Sequence, residues 1–207
     1  MGHTPLGSVS TLSDGLHELR FERDLPYAPE AVWNAVTSPD RIGDWLSEAE
    51  VDLRLAGRFR LRGQCTVDGE VLEVSAPSSF KWTWPHADHP GSEVRITILK
   101  LGDDASRVTL VQSNLPARHL LDVAAGWHTH LDALPKAIVG ERTPFDVDRA
   151  ATLYGRYAAA IGASASAGGQ VSSDQAARIV TPPQFQGSNS SILPMVWSGR
   201  GVSRSAG

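Results

Sequence analysis

The periodicity of apolar residues changes only a few times along this chain, and the order of the changes restricts the fold. From Leu19 to Leu25 apolar positions alternate with charged ones: Leu19, Phe21 and Leu25, with Arg23 in the same phase, stand opposite Glu18, Arg20, Glu22 and Asp24. Period two with polar partners is a half-buried strand. Between Pro29 and Leu46 the spacing turns helical. Pro29 suits a first helical turn, and Val32, Trp33 and Val36 share one side. Ser38 stands where it can cap a second helix, on which Ile42, Trp45 and Leu46 recur. Period two then returns for some sixty residues. From Ala117 to Gly140 it gives way to Leu120, Ala124, Trp127, Leu131, Leu134 and Ile138 at i, i+3, i+4 and i+7.

The long period-two region resolves into several strands. Val51, Leu53 and Leu55 precede Gly57, and Phe59 and Leu61 alternate with Arg58, Arg60 and Arg62. Asp68-Gly69 reads as a hairpin turn. Leu72 and Val74 follow it. Phe80, Trp82 and Trp84 then stand on one face, and Val94, Ile96 and Ile98 form another strand. After Asp103-Asp104, residues 107–113 give the last strand, with Val108 and Leu110 on one face. Connections this short favour antiparallel pairing, because parallel strands need long crossovers. The class is therefore α+β: a curved antiparallel sheet of about six or seven strands, two short helices after the first strand, and one long helix covering a face of the sheet. Pro135 is expected to kink that helix or fray its last turn. A further helix is expected over 142–163, with a stripe of Val147, Ala151, Tyr154, Ala158 and Ile161. Residues 1–15, rich in Gly, Ser and Thr, read as a flexible arm. Residues 164–207 read as a disordered tail.

Charge and composition narrow the function classes. The net charge is −4, with acids and bases mixed along the chain, so the concentrated basic face that nucleic acid or an anionic membrane requires is missing. There is no apolar run of membrane-spanning length and no signal-peptide pattern at the start. Cys65 is a single cysteine. A cytoplasmic protein is expected.

Five blocks carry a resemblance to a known family: LPYAPEAVWNAVTSPDRIGDWL (25–46), LAGRFRL (55–61), VDGEVLEVSAPSSFKWTW (67–84), SRVTLVQSNL (106–115) and GWHTHLDALPKAI (126–138). In that order and spacing, they resemble the family of proteins similar to the heat-shock protein 90 ATPase activator, within the START-like (SRPBCC) superfamily. The resemblance covers about residues 16–141. It implies a helix-grip fold with a cavity between sheet and long helix. Relatives in the wider superfamily carry lipids, cyclise polyketides or bind hormones.

Candidate site residues follow from both readings. Trp82 and Trp84 share a strand face and Trp127 lies on the helix stripe, so with Trp45 they can wall an apolar chamber. Phe59, Leu61, Ile96, Leu110 and Leu131 extend it. His128, Gln112 and Glu70 are the polar groups that could orient a guest, with His128 at the chamber's edge. His128 and His130 are two positions apart, a helical rotation of about 200°, and so cannot ligate one ion. His86 and His89, in a proline-rich loop with Asp88, make too few ligands for a zinc site. Cys65 has no basic activator near it in sequence. No catalytic set, metal or cofactor is implied. The expected partner is an apolar small molecule. The alternatives are a cyclase- or hydrolase-like enzyme using His128, and an interaction protein making a chaperone or homodimer contact.

Overall fold

In the computed structural model, residues 4–63, 66–86, 89 and 91–167 are described. The order of elements is β1 (Ser8–Thr11), β2 (His17–Leu25), α1 (Pro29–Thr37), α2 (Pro39–Trp45), β3 (Glu48–Val51), β4 (Arg58–Arg62), β5 (Val67–Ser75), β6 (Ser79–Thr83), β7 (Glu93–Gly102), β8 (Ala105–Leu115), α3 (Leu120–Ile138) and α4 (Val147–Ala167). The eight strands form one sheet in the order β1-β2-β8-β7-β6-β5-β4-β3, and every pairing is antiparallel. The first long strand thus lies against the last, with Phe21 opposite Leu110 and Arg23 opposite Val108. α3 packs on the inward face, burying Ala124, Trp127, Leu131 and Leu134 against Phe21, Phe80, Trp82, Ile96 and Leu110 in one core. The outward face carries exposed or partly exposed ion pairs such as Arg107–Asp24 and Arg95–Glu73. Pairs of that kind contribute little to stability.

Several sequence expectations are corrected. The N-terminal arm is not loose throughout, because Ser8–Thr11 pairs with β2 and brings the sheet to eight strands. Its Ser and Thr side chains are mostly exposed, so the segment looks like a linker. Its backbone nonetheless completes the ladder, and Leu6 and Val9 pack on the core. Asp68-Gly69 lies inside β5 rather than in a turn. A Cβ at Gly69 would collide with the Thr83 carbonyl oxygen on the neighbouring strand, so glycine serves close approach there and not a reversal. A register shift between Val71 and Glu73 then puts Val71 opposite Trp82 and Val74 opposite Phe80.

The buried side of α4 is also rotated from the expected stripe. Among its described side chains Leu153 and Tyr157 are fully buried, while Val147 and Ala151 are exposed. The helix continues to Ala167, into the segment read as tail, and residues 168–207 and Cys65 lie outside the described residues. Ser38 is the N-cap residue of α2, yet its hydroxyl donates to Asn34 Oδ1 and accepts no backbone N–H from the helix it precedes. Pro135 is accommodated: α3 closes one turn later, and Gly140, at φ +85°, donates to the Ala137 carbonyl.

The two kinds of glycine environment predict opposite outcomes. Gly69→Ala forces the Thr83 backbone aside and is expected to cost about 1–3 kcal/mol. Gly43→Ala, where nothing lies within 4 Å of the added carbon, is expected to be neutral or to stabilise by about 0.5–1 kcal/mol. Urea denaturation midpoints of both variants check this.

Candidate ligand site

Trp82 on β6 and Trp84 just beyond it share a sheet face because they are two residues apart, and both are 2% exposed. The Trp84 ring meets Trp127 of α3 at 5.0 Å between centroids. On its other side Trp82 stacks on Phe59 at 4.7 Å and on Phe80 at 4.8 Å. Trp82 and Trp84 are 6.5 Å apart. From Trp127 the line of rings continues through His130, at 6.3 Å, to Phe145 on the segment between α3 and α4, at 4.8 Å. An unbroken aromatic seam therefore runs from that segment into the space between α3 and the sheet. Its rings are in mutual contact where the sequence reading puts an open chamber.

Polar groups are few along the seam, and most are fixed. Trp127 Nε1 donates to Gln112 Oε1 at 2.5 Å. Gln112 Nε2 donates to Ser92 Oγ at 2.8 Å, and Ser92 Oγ donates to the Ser113 carbonyl at 3.2 Å. An indole can only donate, so this chain sets which way the amide of Gln112 points. Trp45 Nε1 donates to the Ala35 carbonyl at 3.0 Å, and the Trp45 carbonyl accepts from His130 Nδ1 at 2.8 Å. Burial pushes His130 down to about 4, so its ring is neutral. Trp82 Nε1 is the exception, buried with no hydrogen-bond partner.

At the outer end of the seam lies a cleft of about 380 Å³. The end of α2 and the residues after it supply Trp45, Leu46 and Ser47. The end of β4 supplies Arg62, and the 142–145 segment supplies Arg142, Thr143 and Phe145. A bond from Thr143 N to the Asp44 carbonyl, 2.9 Å, fastens that segment to α2. A second cleft, also about 380 Å³, lies far more open on polar residues of β4, β5 and β6, and Glu70 lines it.

The candidate residues thus fall into groups. Trp82, Trp84 and Trp127 meet, with Phe59 beside them, and Trp45 joins through His130. Leu61, Ile96, Leu110 and Leu131 are fully or almost fully buried in the same core. Gln112 is held inside the seam. Glu70 is exposed and away from it. His128 is a correction: it turns from the seam toward α4, with its ring against Phe21 and Tyr157 and its Nδ1 2.9 Å from Tyr157 Oη. One residue along a helix is about 100° of rotation, which takes it off the Trp127 face. His86 and His89 face each other across an isolated bridge, and His86 stacks on His119. Among the described residues no group of three or more ligand side chains could hold a metal.

Sequence reasoning missed Phe145, His130 as a link in the seam, and a polar cluster around His128 comprising Tyr157, Asp132 and Arg149. The i, i+4 spacing of His128 and Asp132 was the available signal for the cluster, and His128 Nε2 stands 3.7 Å from Asp132 Oδ1.

Residues 26–138 match the family described as Activator of Hsp90 ATPase homolog 1-like protein. The chain belongs to that family. Among solved structures it is similar to CalU16 from Micromonospora echinospora, with 27% identity over 74% of this chain and 94% of that chain and a TM-score of 0.62. The Aha1 dimer from Colwellia psychrerythraea shares the fold at 14% identity, covering 61% of this chain and 98% of that one, with a TM-score of 0.55. DynU16, a protein of the dynemicin biosynthetic locus, does so at 22% identity, covering 59% and 47%, with a TM-score of 0.52. No curated protein matches. No helix among the described residues is long and apolar enough to cross a membrane.

The neutral, buried His130 carries a pH signature. Its folded value of about 4 lies below the unfolded 6.5, so between the two the unfolded chain binds more protons. Stability present above pH 6.5 is then lost as pH falls toward 4, by about 3 kcal/mol from this group. His130→Gln keeps a donor for the Trp45 carbonyl and does not titrate. Its melting temperature is expected to fall less steeply than the wild type's across that window.

Proposed function

We propose that this chain binds an apolar, aromatic small molecule along the seam between α3 and the sheet, without a strong catalytic step. The observation that carries this reading is the continuity of the ring line with a cleft of ligand size. Sites for small molecules are mostly apolar concavities of roughly 300–1,000 Å³ with a few placed polar groups. The cleft has that volume, and Phe145, Trp45 and Leu46 give it an apolar part beside the polar Ser47, Glu48, Arg62, Arg142 and Thr143. A flat guest starts against Phe145 and extends inward by parting Trp127 from Trp84, trading ring–ring contacts for equivalent ones with itself. Leu61, Ile96, Leu110 and Leu131 back the space it enters. The unmet N–H of Trp82 gives an inserted guest that carries an oxygen acceptor one directional contact. Family membership supports the same reading through the helix-over-sheet architecture. His130, the titratable group on the seam, is neutral and spends its Nδ1 proton on a backbone carbonyl. That arrangement suits a binder better than a general acid.

Titration with an anilinonaphthalene fluorophore, read by energy transfer from tryptophan at pH 7, tests the proposal. The expected result is saturable binding at one site, weakened about tenfold by Phe145→Ala while cooperative unfolding is retained. Absence of saturable transfer in the wild type, or undiminished affinity in Phe145→Ala, would overturn it.

A further inference from the structure

On the side of α3 turned away from the seam, buried cationic donors outnumber the acceptors that could serve them. Arg23, from the inward face of β2, is 8% exposed. Its Nη1 donates to the Glu22 carbonyl at 2.9 Å, its guanidinium carbon stands 6.0 Å from the Phe21 ring centroid, and its Nε and Nη2 are buried with no hydrogen-bond partner. Arg156, half-buried on α4, has Nη1 in the same condition. So has Nε2 of the fully buried His128. Tyr157 Oη accepts from Gly7 N at 2.8 Å and lies 2.9 Å from His128 Nδ1. One proton assignment satisfies all three groups: the tyrosine donates to Nδ1, and the imidazole hydrogen sits on Nε2. That makes Nε2 a fourth unserved donor.

The negative side of this cluster is small. Asp132 is its acid, and its Oδ2 is taken by Arg149 at 2.8 and 3.2 Å. Its Oδ1 stays 3.7 Å from His128 Nε2. Arg23, Arg149 and Arg156 all act electrostatically on His128, so three guanidinium charges face one carboxylate. Burial lowers the Arg23 value, as expected for a cation short of a counter-charge. Water can accept from one or two of the donors but brings no charge. An oxyanion brings several acceptor lone pairs and the missing charge together, and a guanidinium fork fits its geometry.

We propose that Arg23, Arg156 and His128 bind a small oxyanion, a carboxylate or phosphate group, in the interior between β2, α3 and α4. The site lies on the opposite side of α3 from the seam and stands whether or not the seam takes a guest. Its half-buried Arg156 marks the side of entry. The anion is either free or the acidic end of an organic molecule.

Thermal unfolding at pH 7 and constant ionic strength tests this, with sodium phosphate or sodium benzoate replacing sodium chloride. The expected result is a saturable rise in melting temperature with at least one of the two anions, since a ligand held only by the folded state stabilises it. Arg156→Gln, at a half-buried position, is expected to fold normally and to weaken the effect at least about tenfold in concentration. Arg23→Met, which keeps the apolar stem, is expected to abolish the effect without lowering the melting temperature in chloride. Phosphate acting alone assigns a free inorganic anion. Benzoate acting at lower concentration, and competing with phosphate, assigns the acid group of a larger ligand. Equal melting temperatures in all three salts, or a shift that survives in both variants, would overturn the proposal.

Discussion

One helix with two chemically different flanks organises this molecule. α3 turns Trp127 toward the sheet and His128, the next residue, toward α4. The angular step between neighbours on a helix is enough to separate an aromatic interior from a polar one. The sheet has to be long enough to wrap the first flank, and α4 has to be present to cover the second. Without α4, His128 would face water, and Arg23 would lose much of the burial that singles it out. Without the wrap from β2 round to β6, Trp127 would have no ring to meet.

The two interiors obey different packing rules. Along the seam, close contact is the stabilising term, and the few polar atoms form short closed chains such as Trp127–Gln112–Ser92. Trp82 Nε1 lacks a partner, and the stacked rings are held to one another by packing, which a flat guest can replace. Around His128 the balance is reversed. Hydrogen-bond donors are in surplus and acceptors are scarce, and burial magnifies the imbalance. The two flanks thus favour different guests, an apolar ring on one and an anionic group on the other.

The sequence discloses what periodicity controls. The alternation through Leu19, Phe21, Arg23 and Leu25 places β2 and even puts Arg23 on the inward face. The Phe80–Trp82–Trp84 triplet places its strand, and the stripe through Trp127 and Leu131 places α3. Features set by backbone pairing or by distant partners are hidden. β1 leaves no apolar alternation because its outer side chains are polar and its contribution is a ladder. Gly69 looks like a turn because its constraint is Thr83, fourteen residues on. His128 looks like part of the chamber because its partner, Tyr157, lies on another helix. The tryptophans of the seam are legible as neighbours, but whether neighbouring rings enclose a void or fill it depends on distances no spacing rule contains.

The Tyr157 hydroxyl holds the Gly7 amide and the His128 ring at once. Gly7 and Tyr157 are 150 residues apart. A growing chain exposes the β1 segment long before its tie exists, and β2 likewise waits for β8, with Asp24 and Arg107 83 residues apart. Loop closures this long are slow to form. During synthesis β1 and β2 can pair with each other at once, but the other edge of β2 stays open until β8 has emerged, and the tie at Gly7 waits for α4.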